Sequence, residues 1–275
     1  MPEFVDSSNL EEIVYGQHDP IASDIAEDFF EASKITPVTL AVDLPGVSRL
    51  MSSPELREMS QRAGRLYSHR PTINLPQAEE LAHGLSDTIT SRCSPEAFGS
   101  APINLQQIAT ALHHAQGIIG TTTGHPRRTA PSAGALYPLD LFIAPIQGVD
   151  GLNNDIYHYS PFTHTLAEIG PIDVAQLRRA LGETAASESA AAVVIVICTF
   201  WRSRFKYGYR GVRFSLIEAG HIAQNLALST HAQGLASRAI GGFFDDELAQ
   251  LIPGVNGVDD APVYTVLIGS PPASS

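Results

Sequence analysis

The run Val193-Val194-Ile195-Val196-Ile197-Cys198 is apolar at every position, and no other feature limits the possible folds of this chain as much. Successive side chains of a strand point to opposite faces, so an unbroken apolar run needs cover on both sides of its sheet. The run is too short for a helix. It predicts a strand at the centre of a sheet with helices packed on it. Residues 212–233 supply part of that cover, since they read as a long helix that is apolar around most of its circumference.

The remaining elements follow from spacing. Asn104 and Gln107 have capping-box spacing, and Leu105, Ile108, Ala109, Leu112 and Ala115 recur at helical intervals up to a stop at Gly117. Residues 121–131, rich in Gly, Thr and Pro, read as a loop. Residues 139–144 and 156–159 read as strands, the second turning at Ser160-Pro161 and returning through 165–169 as a hairpin. Gly241-Gly242, a short helix at 247–251 and a strand at 263–268 complete the pattern. Helices and strands do not alternate regularly, which predicts an α+β fold, a central sheet flanked by helices, rather than a doubly wound parallel sheet. Residues 1–85 differ in kind: they are acidic at the start, broken by Pro37, Pro45, Pro54, Pro71 and Pro76, and helical in spacing only in patches such as 21–32. They read as an N-terminal extension on a core domain at 86–275.

Charge removes several functions. With 29 acidic residues against 17 basic, the net charge is −12, and nucleic-acid binding, which rests on Lys and Arg neutralising phosphates, is not expected. No apolar run reaches the roughly 18 residues needed to span a bilayer. Met1-Pro2-Glu3-Phe4-Val5-Asp6 has neither the basic nor the apolar part of a signal peptide, so a cytoplasmic protein without membrane contact is expected. Cys93 in a polar stretch and Cys198 in the apolar run make no disulfide framework. Lys34 and Lys206 are the only lysines.

Two patterns bear on chemistry. Arg127-Arg128-Thr129-Ala130-Pro131-Ser132-Ala133-Gly134-Ala135-Leu136-Tyr137-Pro138 is a turn of small residues leading into a strand. Such a turn lets backbone approach a flat ligand, and its N–H groups can meet an anion or a ring acceptor; an ordinary tight loop has the same composition. On the long helix, Glu218, His221 and Asn225 fall at i, i+3 and i+7, a polar stripe on an apolar element. If buried, it needs hydrogen-bond partners. A di-metal carboxylate site takes two Glu-x-x-His pairs, and only the Glu218/His221 pair is present, so no metal is expected.

The run Pro131-Ser132-Ala133-Gly134-Ala135-Leu136-Tyr137-Pro138 resembles the signature of the SagB-type azoline dehydrogenases, within the nitroreductase superfamily. Arg92-Cys93-Ser94, with Phe98 and the 103–120 helix, is similar to the Arg-x-Ser element that opens the nitroreductase domain. Gly220-His221-Ile222-Ala223-Gln224-Asn225-Leu226 resembles its central helix, and Ile240-Gly241-Gly242-Phe243 its turn near the flavin. Lys206-Tyr207 resembles the pair that azoline dehydrogenases use and general nitroreductases lack. The resemblance covers residues 92–269.

This resemblance implies a nitroreductase-like fold, bound FMN, and a homodimer with its sites at the subunit interface. It implies cofactor contacts from Arg92, Ser94, Ser132, Ala133, Gly134, Gln224, Asn225, Gly241 and Gly242. Arg127, Arg128 and Arg238 are available to complete the phosphate grip, Arg128 and Arg238 being the choices, because Glu96 stands where many relatives carry a second basic residue and the tail after Asp260 has no Lys or Arg. The implied activity is FMN-dependent oxidation of peptide thiazolines or oxazolines to thiazoles or oxazoles in natural-product biosynthesis, with dioxygen as electron acceptor. Aromatizing an azoline removes a proton and a hydride, the latter going to flavin. A base is needed for the proton, and a tyrosine beside a lysine ammonium, or a desolvated lysine, can serve near neutral pH. Lys206 and Tyr207 are therefore the catalytic candidates. A cyclodehydratase partner is implied, as is a ribosomal precursor or carrier-bound peptide substrate, and the 1–85 extension reads as a docking element or a dimer clasp. Two other readings stay open: an NAD(P)H-dependent nitro or quinone reductase, and a flavin-free scaffold of a peptide-modifying complex.

Overall fold

A computed structural model of the chain describes residues 24–37, 45–61, 64–122 and 125–272. Its elements, in chain order, are helices α1 (Ile25–Ala32), α2 (Pro45–Ser52) and α3 (Pro54–Gln61), strand β1 (Thr72–Asn74), helices α4 (Leu85–Ser91) and α5 (Leu105–Gln116), and strands β2 (Ile118–Thr122) and β3 (His125–Arg128). Strands β4 (Leu139–Pro145), β5 (Asp155–Ser160) and β6 (Thr165–Pro171) follow, then α6 (Val174–Ala180), α7 (Ala185–Ser189) and β7 (Ala192–Thr199). The last elements are α8 (Trp201–Tyr207), α9 (Arg210–Ala232), β8 (Ala236–Ile240), α10 (Asp245–Gln250) and β9 (Asp260–Gly269). Strands pair in the order β1-β6-β5-β4-β7-β9-β8 as one antiparallel sheet. The fold is α+β, as expected, with the sheet flanked by helices.

The apolar run lies in β7, in the sheet interior between β4 and β9, and its alternation explains why every position is apolar. Val194, Val196 and Cys198 enter a core shared with Ile108 and Leu112 of α5 and Ile222 and Leu226 of α9. Val193, Ile195 and Ile197 enter a second core with Leu177 of α6, Ala186 of α7 and Leu248 of α10. Each of these buried aliphatic side chains contributes roughly 1.5–3 kcal/mol relative to exposure. The expected capping box closes α5: Gln107 N–H donates to Asn104 Oδ1 and Asn104 N–H to Gln107 Oε1, both at 3.0 Å, with Gly117 as C-cap.

Three expectations are corrected. The 121–131 segment is not all loop: β2 and β3 form a two-stranded ribbon, kinked by a bulge between Ile118 and Gly120. β-branched Ile118, Ile119 and Thr121 favour the extended backbone, and Pro126 is tolerated in a ribbon with free edges. The long helix is not buried on every side, for Leu216 and Ile217 are 47 % and 56 % exposed. Nor is its polar stripe continuous, since Glu218 is buried while His221 is exposed and Asn225 half-buried. The edge of the helix's contact with the sheet runs between them. Of the 21–32 helical patch, residues 21–23 lie outside the described residues.

Strand register sets up the site. Leu139 pairs with Cys198, and Thr199 with Asp260, so β4 and β9 begin where β7 ends. Thr199 N–H donates to the Pro138 carbonyl at 2.9 Å. The 131–138 turn and α8 therefore leave the sheet at the same end. Residues 64–85 lie within the stretch read as an extension, and they contribute β1 to the sheet edge. Farther back, α2 packs on α8 so closely that a Cβ at Gly46 would collide with the Phe205 carbonyl.

Candidate functional site

Lys206 and Tyr207 are the last two residues of α8, which stops at Gly208. A Cβ built on Gly134 would lie 2.5 Å from both Lys206 Nζ and Tyr207 Oη, so the ammonium and the phenol converge on one bare Cα. Gly134 has φ +63°, a conformation L side chains rarely adopt. Glycine is thus required here twice, by backbone and by contact. The Lys206 ammonium lies 4.9 Å from the centroid of the Tyr207 ring. On the other side, Phe214 of α9 meets the Tyr207 ring edge-on with centroids 5.0 Å apart. Both Lys206 and Tyr207 are half-buried, held yet reachable.

Beneath this corner lies a dense group of buried charges. Asp140, inside β4, pairs with Arg202 of α8 at 2.9 Å and with Arg65 at 3.2 Å; Arg65 also pairs with Asp260. Burial pushes the Asp140 carboxyl up, but His158 and Arg202 outweigh it and hold the group well below the usual carboxylate range. Arg128 is buried beside the Tyr137 ring, its guanidinium 4.4 Å from the centroid, and burial lowers its basicity against the attraction of Asp140 and Glu218. Glu218 is 2 % exposed, and burial raises its carboxyl to about 7, partly offset by the Ser132 hydroxyl and Arg128. Burial also pushes the Cys198 thiol up to about 12, so it stays protonated and unreactive.

The other candidates gather elsewhere. Arg92 caps α4 and donates to Ser94 Oγ at 3.3 Å, while Arg238 of β8 donates to the Pro95 carbonyl at 2.9 Å. Two guanidiniums thus share one turn with an exposed hydroxyl, and neither has a carboxylate partner among the described residues. Gly241 and Gly242 follow β8 with exposed backbone, and a Cβ at Gly242 would meet nothing within 4 Å. Gln224 is exposed and Asn225 half-buried on α9. The structure therefore brings together Ser132, Ala133, Gly134, Lys206 and Tyr207 as one group and Arg92, Ser94 and Arg238 as another. Arg128 belongs with the first, turned toward Asp140 and Glu218.

Sequence reasoning missed Asp140, Arg202, Arg65 and Phe214. A charge inside the apolar strand Leu139-Asp140-Leu141-Phe142 was a usable signal, because a buried carboxylate needs cations. Nothing in sequence paired it with Arg65 or Arg202.

Comparison with known proteins places this architecture. Residues 89–270 match the Nitroreductase family. MJ1384 of Methanocaldococcus jannaschii, a protein named as a nitroreductase, is 32 % identical over 181 residues, 66 % of this chain and 88 % of that protein. The microcin B17-processing protein McbC of Escherichia coli is 31 % identical over 134 residues, 46 % of this chain; the match spans 48 % of McbC, about half its length. The E. coli microcin synthetase McbBCD complex with truncated pro-MccB17 bound contains a chain of the same fold, with TM-score 0.59 and 23 % identity over 96 % of this chain and 98 % of that one. A nitroreductase-fold structure from Ralstonia eutropha superposes with TM-score 0.64 at 24 % identity, over 76 % of this chain and 93 % of that one. A seven-stranded antiparallel sheet covered by α5 and α9, and a family match that runs from the last turn of α4 to the end of β9, lead to one assignment: the chain belongs to the nitroreductase family.

Proposed function

We propose that this protein is an FMN-dependent oxidoreductase that converts azoline rings of a peptide to azoles during maturation of a peptide natural product. The observation that carries the reading is the convergence of Lys206 Nζ and Tyr207 Oη at Gly134, because an azoline gives up a ring proton only to a base held beside it. Similarity to McbC, named for processing microcin B17, supports a peptide substrate.

The residues present fit FMN. Arg92 and Ser94 of the turn after α4, with Arg238 of β8 bonded to its Pro95 carbonyl, present two guanidiniums without carboxylate partners among the described residues, the chemistry a phosphate needs. The open backbone at Gly241 and Gly242 and the small-residue turn at Ser132, Ala133 and Gly134 leave room for a flat ring. Gln224 and Asn225 offer polar groups on α9. When bound, FMN supplies the two-electron redox chemistry, with dioxygen as the acceptor that restores it. The protein's own part is proton handling and orientation. Tyr207 or Lys206 takes the proton from the ring carbon next to the carbonyl substituent, Phe214 fixes the Tyr207 ring, and the 131–138 turn limits where a ring can sit.

Among the described residues, no hydrogen bond or ion pair joins the two groups of site residues. Leu216 and Ile217, neighbours on α9 and each about half exposed, are apolar side chains that a second copy would cover. A homodimer, with each site drawing on both protomers, joins the two groups. As the sequence resemblance implies, a cyclodehydratase supplies the azoline. The direct test is the visible spectrum of the purified protein, followed by intact-mass analysis of an azoline peptide. Bound flavin and loss of two hydrogens per ring are expected. Flavin with NADH consumption and no peptide oxidation would establish the reductase reading instead, and absence of flavin the scaffold.

A further inference from the structure

Helix α8 carries Lys206 and Tyr207 yet has little of its own to hold it. It is seven residues long, its N-cap Phe200 makes no side-chain cap, and among its described residues Ser203 alone is fully buried. A helix that short is not stable in isolation, so its place is set by what packs on it. Arg202, paired with Asp140 at 2.9 Å, anchors its first turn. The last turn, where the proposed base sits, needs another support.

Two glycines supply it by bringing backbone against backbone. At Gly211, in the first turn of α9, a Cβ would lie 2.9 Å from the Arg204 nitrogen and from the Ser203 carbonyl carbon. At Gly46 of α2, a Cβ would collide with the Phe205 carbonyl oxygen and lie 2.6 Å from the Lys206 Cα. Backbone atoms cannot swing aside as a side-chain tip can, so even one methyl must push the two helices apart. Gly46 lies in a helix, where the backbone suits alanine better, so the contact alone calls for glycine. Gly46 is buried, and so is Leu50, one helical turn on and on the same face of α2. At the tip of α8, the Lys206 ammonium and the Tyr207 phenol close on Gly134. The corner is thus held against three bare Cα atoms, and the one at Gly46 reaches the backbone of Lys206 itself.

We infer that Gly46 is a positioning residue of this corner: by admitting α2 against the backbone of Phe205 and Lys206, it fixes where the ammonium and the phenol meet the 131–138 turn. Residues 45–52 belong to the stretch read as a docking element or a dimer clasp, and here they brace α8 of their own chain. Gly46 touches no reacting atom and acts through Lys206 and Tyr207. Its effect on catalysis rests on the proposed function, whereas the brace on α8 does not.

Both links are tested on the full chain with Gly46→Ala, and with Ser48→Ala on the exposed face of α2 as the control. Hydrogen exchange reads the brace. In Gly46→Ala the amides of 204–208 are expected to lose about tenfold of protection while those of α5 and β7 keep theirs, and Ser48→Ala matches wild type. Unchanged protection at 204–208, or an equal loss in α5 and β7, overturns the inference. With flavin-loaded protein and an azoline peptide, Gly46→Ala is expected to lower kcat by about ten- to hundredfold, the effect of a small misplacement, with KM within about twofold of wild type and flavin occupancy unchanged. A wild-type kcat, or a loss accounted for by missing flavin, also overturns it. Should Gly46→Ala fail to fold, Leu50→Ala, which loosens the same face without adding bulk, decides by the same readouts. If wild type oxidises no azoline, the proposed function fails, and hydrogen exchange still decides whether α2 braces α8.

Discussion

The two groups of site residues use arginine in opposite ways. At the turn after α4, Arg92 and Arg238 bond, among the described residues, a hydroxyl and a backbone carbonyl and no carboxylate, so their charge is available to a ligand. Under the Lys206–Tyr207 corner, Arg65 and Arg202 are mostly buried and spent on Asp140 and Asp260. In a chain of net charge −12, a cation without a carboxylate partner is the informative one. A buried and paired cation serves architecture, because leaving its partner alone would strand a charge.

The sharpest way to break this contrast is to remove the converging groups. Tyr207→Phe and Lys206→Ala are each expected to lose about 10²- to 10⁴-fold in azoline oxidation, the usual cost of a missing general base, with flavin occupancy unchanged by absorbance ratio. If either variant loses flavin instead, the corner and the anion turn are not separate in function. Asp140→Ala addresses the buried side. It leaves Arg65 and Arg202 short of a carboxylate and should cost about 3–5 kcal/mol in denaturant unfolding. A loss under about 1 kcal/mol would mean that the pairs are solvent-screened after all. Since the Asp140 carboxyl is depressed in the folded state, its contribution is present above the ordinary aspartate range and disappears as pH falls through and below it.

Glu218 has the opposite sign. Its folded value of about 7 lies above the ordinary 4.5, so the wild type is most stable where the group is protonated, and that stability is lost as pH rises through about 7. Glu218→Gln should therefore be more stable than wild type by about 3 kcal/mol at alkaline pH, with the gain gone below about pH 5. Chemical denaturation across that range reads the difference, and a pH-independent difference would contradict the burial of a titrating carboxyl. The smallest expected effect is at the anion turn. Arg92→Ala should weaken FMN by about ten- to hundredfold, the loss of one charge-assisted contact, measured as occupancy at subsaturating cofactor. Equal occupancy would remove Arg92 from the phosphate site.

Much of this architecture was legible before any coordinates. An all-apolar β7, a capping box on α5 and the hairpin β5–β6 are local patterns, and each appears where spacing put it. The 131–138 turn and the Lys206–Tyr207 pair were also visible as motifs. Their contact was not, because adjacency along α8 says nothing about which surface those side chains meet. The ribbon β2–β3 was misread as loop because Gly, Thr and Pro dominate it, and pairing between edges outweighed that composition.

By itself, then, the sequence decided which segments must be buried, since an apolar run or an amphipathic period leaves water for the same reason in any context. It also decided, by residue type, which groups can bear charge or accept a proton. Only the tertiary structure decided which of those groups face one another. Arg65 meets Asp260 across 195 positions, and Lys206 and Tyr207 meet Gly134 because the 131–138 turn and α8 leave the sheet at the same end. Burial and the field of neighbouring charges then make one carboxyl, Asp140, stay ionised and another, Glu218, titrate near neutrality. Those energies depend on separation in space, which the order of residues along the chain does not carry.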